Sequence, residues 1–291
     1  MKISVFPDYG SLNSKPVFDA FIENLRNNQE NFQINKWDNS TDVAVIWSVL
    51  WRGRMEQNKK IWDEFKSSGK PVVVLEVGGI KRNLSWKMGI NGINRDADFA
   101  NQTYDDKRWP LFKIDLKPWK QTGNVIVICG QHNTSQQWQG LPKMQKWLTH
   151  QIKEIRKYTD KPILVRPHPR EPVEVPTIDF KNIKVAHPKR DWSTYDDTDF
   201  KNVLKSTWAV VNHSSNPAME AVFNGIPVFV SESSLCYPVG NNGYADINTP
   251  SMPNRSNWAN QLAYTEWFVD EIREGKPWKR IRNRLLEKYL K

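Results

Sequence analysis

The sequence predicts an α/β protein made of two successive doubly wound units. Three observations carry this. Short runs of β-branched and apolar residues alternate with stretches of helical period. The alternation breaks across a polar stretch at 95–123 and then restarts. Four of the five histidines stand just past the end of an apolar run, the side of an open parallel sheet on which ligands bind.

Taken in order, 2–6 reads as a strand. A helix over 17–27 has Val17, Phe21, Ile22 and Leu25 on one face. A strand over 43–47 is followed by a helix over 55–68, closed by Gly69-Lys70-Pro71. The β-branched strand 72–75 ends at Glu76-Val77-Gly78-Gly79. After the polar stretch, which reads as the link between domains, strands are expected at 125–129, 163–166, 183–186, 209–211 and 226–230. Helices are expected around 142–158, 198–206 and 217–223, and from about Trp258 onward. Asp105-Asp106 reads as a solvated loop, and Asp196-Asp197-Thr198-Asp199 as a charge cluster at a helix N-terminus.

Hydrophobic residues make up 38% and charged residues 25% of the 291, which fits a folded soluble chain. No apolar run is long enough to span a membrane, and no apolar leader precedes the first strand. Cys129 and Cys236 are too few and too far apart for a disulfide framework or a zinc site, and a cytoplasmic setting is expected. A net charge of +10 points to a polyanionic partner: nucleic acid, acidic glycan or anionic membrane. Among the fourteen tryptophans, Trp47, Trp51 and Trp86 fall near expected loop rims, where they can stack on sugars or bases.

Two segments carry chemistry. In Val211-Asn212-His213-Ser214-Ser215-Asn216-Pro217-Ala218-Met219-Glu220, Pro217 suits the first helical position and Ser215 or Asn216 can cap. The free N–H groups there favour an anion, the two serines add hydroxyl donors, and Glu220 can accept from sugar hydroxyls. In Arg166-Pro167-His168-Pro169-Arg170, two prolines hold the imidazole, which can donate to a leaving phosphate, and the arginines bring permanent charge. Gln131 and His132 follow the strand at 125–129, and His187 the strand at 183–186. The alternatives are a plain helix cap and a stiff charged turn.

This order of motifs, closed by Asn224-Gly225-Ile226-Pro227-Val228, resembles the donor domain of GT-B glycosyltransferases over about 124–235. It is most similar to the capsule-polysaccharide and sialyl- or Kdo-transferase groups with "HP" and "SS" motifs. The resemblance implies two Rossmann-like domains facing a central cleft, a UDP- or CMP-linked sugar as donor, and neither cofactor nor metal. It implies that His168, Ser214 and Ser215 hold the donor phosphate. The division expected is 1–118 for the acceptor, 119–265 for the donor, and 266–291 as a basic helical segment packing back on the first domain. No P-loop, dinucleotide fingerprint or HExxH motif is present.

An inverting transferase needs a base on the acceptor side. Glu76, at a strand end before a Gly-Gly turn, is the first choice; Asp8 and then Asp98 follow. Lys279, Arg280, Arg282 and Arg284 crowd the last helix. Arg52, Arg54, Lys59, Lys60, Lys81, Arg82 and Lys87 add cations in the first half. The chain also resembles, in general character, small glycosyltransferases of tailed bacteriophages. That likeness implies a hydroxymethylated pyrimidine in double-stranded DNA as acceptor, flipped from the helix, within a host cytoplasm. A capsule or lipopolysaccharide transferase and a non-catalytic binding module are the other two readings.

Overall fold

A computed structural model describes residues 1–175, 180–187 and 197–291. Asp196, singled out above, lies outside them. In chain order the strands are β1 (Lys2–Val5), β2 (Asn31–Ile34), β3 (Val43–Trp47), β4 (Val72–Val77), β5 (Ser85–Ile90), β6 (Val125–Cys129), β7 (Ile163–Arg166), β8 (Ile183–Val185), β9 (Thr207–Val211), β10 (Val228–Phe229) and β11 (Glu266–Phe268). The α-helices are α1 (Lys15–Asn27), α2 (Glu56–Ser67), α3 (Met144–Arg156), α4 (Asp197–Leu204), α5 (Pro217–Phe223), α6 (Ser256–Leu262), α7 (Val269–Arg273) and α8 (Lys276–Arg284). The chain divides into two compact units: Met1–Lys113 with Asn257–Lys291, and Ile114–Ser256.

The first unit holds a six-stranded sheet in the order β11-β5-β4-β3-β1-β2. Strands β1 to β4 pair in parallel, and β5 is antiparallel to both β4 and β11. Side chains alternate across a strand, and both faces here are apolar. Val43, Val45 and Trp47 of β3 join Phe18, Phe21 and Leu25 of α1 with Ile272, Trp278 and Ile281 of the last helices. Ala44 and Ile46 face the other way, onto Ile61, Trp62 and Phe65 of α2. α1 forms because its apolar residues recur at helical spacing and Pro16 stands in its first turn. Burying a residue such as Phe21 completely contributes about 1.5–3 kcal/mol.

Three expectations are corrected by this packing. Trp47 and Trp86 are core residues packed on each other, with ring centroids 5.7 Å apart, and Trp51 is buried against Trp62; none of the three forms an open stacking platform. Lys87 is 2% exposed in β5, so it is no surface cation for DNA. Strands β2, β5 and β11, unexpected from the sequence, complete the sheet. Buried Arg108 fastens the C-terminal segment: it pairs with Glu271, donates to the carbonyls of Ala263 (2.7 Å) and Glu266 (2.6 Å), and lies 3.8 Å from the Trp267 ring centroid.

The second unit holds five parallel strands in the order β10-β9-β6-β7-β8. Met144, Leu148, Ile152 and Ile155 of α3 cover one face, over Ile126, Ile128, Val165 and Val211. The chain runs from β6 to β7 to β8, then crosses to β9 and β10. The strand order therefore reverses between β6 and β9, and ligands of such sheets lie at the carboxyl ends of strands at that point.

Candidate active site

The loops after β9, β6 and β7, three neighbours in the sheet, bring together Ser214, Gln131, His132 and His168. Gln131 spans the reversal point: its buried side-chain oxygen accepts from the Ser214 amide at 3.2 Å and lies 3.5 Å from the Ser214 hydroxyl. His132 is buried with Nδ1 3.0 Å from Glu171, and Asn133 donates to the other oxygen of that carboxylate at 2.9 Å. Asn133 in turn accepts from the Met144 amide at 2.8 Å, which fixes the start of α3. The His132 and His168 rings are 4.0 Å apart between centroids. The Arg170 amide donates to Nδ1 of His168 at 3.2 Å. A neutral His168 ring therefore carries its proton on Nε2, as a hydrogen-bond donor.

His213 sits beside this group as a support. Its ring stands edge-on to Trp138 at 5.2 Å, Nε2 is 3.2 Å from the Ser233 hydroxyl, and its carbonyl accepts from Ser231. Burial pushes its pKa below the ordinary imidazole value, so the ring is neutral at pH 7. The Ser215 hydroxyl accepts from Asn212 at 3.2 Å.

Other expected donor ligands are placed differently. Buried Arg166 pairs with Asp199 at 2.8 Å and anchors α4. Arg170 is exposed. His187 is exposed after the edge strand β8 and lines an open groove of about 730 Å³ with Val173, Val175 and Val185, separated from the reversal point by β7. Glu220 accepts from Asn224 one turn along its own helix. Neither Ser215 nor Asn216 caps α5 through its side chain, and with seven residues α5 brings little dipole. Glu171 was missed in the sequence; it directly follows Arg170, and an acid beside the "HP" turn was the available signal.

In the first unit the order reverses between β1 and β3. There the buried Asn58 of α2 donates to the carbonyls of Tyr9 (3.1 Å) and Trp47 (2.7 Å), so a side chain bridges the two strand ends. Glu76 lies at the end of β4. Its carboxylate accepts from the Ser48 hydroxyl at 2.6 Å and the Val77 amide at 2.7 Å. Burial raises its pKa above the usual carboxylate range, opposed by those two donors and by Lys87 and Arg82. Glu266 lies across β5, and the register sets Glu76, Lys87 and Glu266 side by side on three strands. Fully buried Glu266 accepts from the amides of Gly79 (2.6 Å) and Ile80 (3.0 Å) and from the Ser85 hydroxyl (2.7 Å). A side chain at Gly78 would meet that carboxylate at 2.3 Å, which explains the glycine.

Asp8 is exposed, in a short turn after β1. Asp98 holds the C-terminal segment, with Arg284 at 2.6 Å, Tyr289 at 3.2 Å and Lys288 at 3.5 Å. Burial alone would raise its pKa, but Arg284 and the other donors bring it below the carboxylate range. That makes it a structural anchor and a poor base. Of the cations expected to meet DNA, Arg52, Arg54 and Lys279 are exposed, and Lys81 and Arg82 are half-buried. Arg282 pairs with Glu30 at 2.7 Å, and Arg280 donates to the carbonyls of Ala100 and Thr103 and lies 4.6 Å from the Tyr264 ring centroid. Arg280, Arg282 and Arg284 are thus engaged within the first unit. Among the described residues, no group of three or more His, Cys, Asp or Glu side chains is placed to hold a metal ion. No helix there is long and apolar enough to cross a membrane.

No protein-family profile matches the chain, and no curated protein matches its sequence. Solved structures do. "Thermosulfurimonas dismutans KpsC, beta Kdo 2,4 transferase" is similar at a TM-score of 0.55 and 12% identity, over 91% of this chain and 90% of that one. "Thermosulfurimonas dismutans KpsC, beta Kdo 2,7 transferase" aligns over 98% of this chain and 100% of that one at 12% identity, with a TM-score of 0.49. At this identity the first likeness is one of fold. The chain has a GT-B-like fold, with two Rossmann-type α/β units.

Proposed function

We propose that this chain is a glycosyltransferase that moves a sugar from a nucleotide donor to a hydroxyl acceptor. The observation that carries the reading is the group at the β6–β9 reversal point: Gln131 bridged to Ser214, beside the paired rings of His132 and His168. It gathers uncharged and imidazole donors where a doubly wound sheet takes a phosphate. The GT-B-like fold and the name of the similar KpsC structure support the same class.

In this reading the second unit holds the UDP- or CMP-linked sugar. As the bond from the anomeric carbon to the phosphate oxygen breaks, that oxygen gains charge, and the Nε2–H of His168 and the Ser214 hydroxyl stabilise it. Ser215 assists. Glu76 takes the proton of the acceptor hydroxyl, whose oxygen attacks the anomeric carbon. Asp8 is the fallback base.

A sugar hydroxyl on a growing glycan is the acceptor we favour. The KpsC structure is named a Kdo transferase, and the cations of Arg280, Arg282 and Arg284 are engaged internally. The net charge of +10 supports a second acceptor, a hydroxymethylated pyrimidine in duplex DNA, met by Arg52, Arg54 and Lys279. The test is to incubate the protein with CMP- and UDP-sugars and measure nucleotide release with an oligosaccharide, a hydroxymethylated duplex or neither. Release stimulated by the oligosaccharide supports the first acceptor, and release stimulated by the duplex the second. No release with any donor refutes the transferase.

A further inference from the structure

We infer that Ser48 is a positioning residue for the acceptor base: its hydroxyl orients the Glu76 carboxylate and holds it ready to take a proton. The inference rests on the reading of Glu76 as base and goes beyond it. Ser48 is buried at the end of β3, and its Oγ lies 2.6 Å from Glu76. The Leu50 amide donates to the same Oγ at 3.2 Å. With an acceptor lone pair engaged there, the hydroxyl proton is directed at the carboxylate.

The backbone supplies a second, independent observation. Ser48 has φ +63°, the left-handed region that costs a residue with a Cβ, and such strain collects at functional sites. The conformation is held on both sides: the Ser48 amide donates to Leu75 at 2.8 Å, and Asn58 fixes the preceding carbonyl of Trp47 at 2.7 Å. A glycine would adopt this backbone without strain. Serine in that position is explained by its hydroxyl.

The charged groups facing Glu76 leave this hydroxyl a definite task. Lys87 comes from β5 and Arg82 from the turn before it; Glu266 of β11 lies beyond Lys87, and Asp96 also feels Lys87. Burial makes the carboxylate hold its proton more tightly, and the Ser48 hydrogen bond is the strongest opposing influence, followed by the Val77 amide and then the two cations. In transfer, the acceptor O–H proton passes to Glu76, the acceptor oxygen bonds to the anomeric carbon, and the nucleotide leaves with the electron pair of the broken bond. A Glu76 protonated beforehand cannot begin this sequence.

The test compares Ser48→Ala and Ser48→Gly in the full chain; the glycine variant removes the hydroxyl and suits the backbone. The Glu76 carboxyl carbon is titrated by 13C NMR, assigned with Glu76→Gln, and transfer is measured from pH 5 to 9 at saturating donor. Losing the hydrogen bond should move the Glu76 midpoint upward by about one pH unit, and the acid limb of the rate profile with it. Transfer should then fall about tenfold below the midpoint, with the high-pH plateau and donor KM nearly unchanged. An unmoved NMR midpoint in both variants overturns the inference, whatever the activity. Wild-type transfer by Glu76→Gln overturns the base itself, a distinct result.

Discussion

Replacing Glu266 with alanine should destabilise the first unit far more than a typical substitution. The carboxylate is fully buried and accepts from two backbone amides, Gly79 at 2.6 Å and Ile80 at 3.0 Å, and from the Ser85 hydroxyl at 2.7 Å. Ser85 can turn to the Lys81 carbonyl, already 3.0 Å away, so it contributes little. The Gly79 and Ile80 amides lose the carboxylate that accepts from them. Each buried donor left unsatisfied costs ~1–3 kcal/mol, and Lys87 loses a neighbouring carboxylate, so a total of ~3–5 kcal/mol follows. For a unit of this size that is a fall in Tm of roughly 6–20 °C. Differential scanning calorimetry should show the loss in the transition of the first unit. Glu266→Gln, which keeps the shape and one acceptor oxygen, should fall between wild type and alanine. A shift under about 2 °C for Glu266→Ala would show that the turn after Glu76 satisfies its amides without this clamp.

Further outcomes follow from the same geometry. His168→Ala should lower transfer at least ~10²-fold if its Nε2–H stabilises the leaving phosphate, with folding retained by circular dichroism. Glu171→Gln should weaken nucleotide binding by about tenfold, measured by calorimetric titration, because His132 and Asn133 lose a charged partner; unchanged affinity would make Glu171 purely structural. Arg284→Glu places a negative charge beside Asp98 and should cost ~1–2 kcal/mol in urea unfolding, whereas Lys279→Glu, on an exposed residue, should leave stability within ~0.5 kcal/mol. If Arg284→Glu instead weakens DNA binding at unchanged stability, the internal role of that cation is wrong.

The fold was legible because its strands are uniform. Val43-Ala44-Val45-Ile46-Trp47 and Val125-Ile126-Val127-Ile128-Cys129 read as buried parallel strands, and α5 runs over 217–223 as the proline and the Asn224-Gly225 stop indicate. The missed strands lack that signal. β5 (Ser-Trp-Lys-Met-Gly-Ile) mixes a lysine and a glycine into a buried strand, and β11 has three residues that become a strand only by pairing with β5. The same blindness displaced Lys87 and Trp86 to the surface. A lysine is exposed by default, and the carboxylates of Glu76 and Glu266 on the flanking strands, far apart in sequence, help to make its burial tolerable, with Asp96 also close enough to feel its charge.

The candidate site was legible where one segment supplies both residue and turn, as in Arg166-Pro167-His168 and His213-Ser214. It was hidden where roles come from distant partners. Asp199 draws Arg166 inward, Glu171 fixes His132, and Asp98 binds Arg284. Each of those pairings depends on strand order and helix docking, which a motif does not encode.

The central claim is that the second unit binds the nucleotide part of a sugar donor at the end of β6 and β9. Isothermal titration of the full chain with CMP, CDP and UDP, repeated for Gln131→Ala and Ser214→Ala, tests it most directly. Binding of at least one nucleotide by the wild type, weakened about tenfold or more in both variants at unchanged Tm, is the predicted result. Equal affinity in all three proteins, or no binding by the wild type, would contradict it.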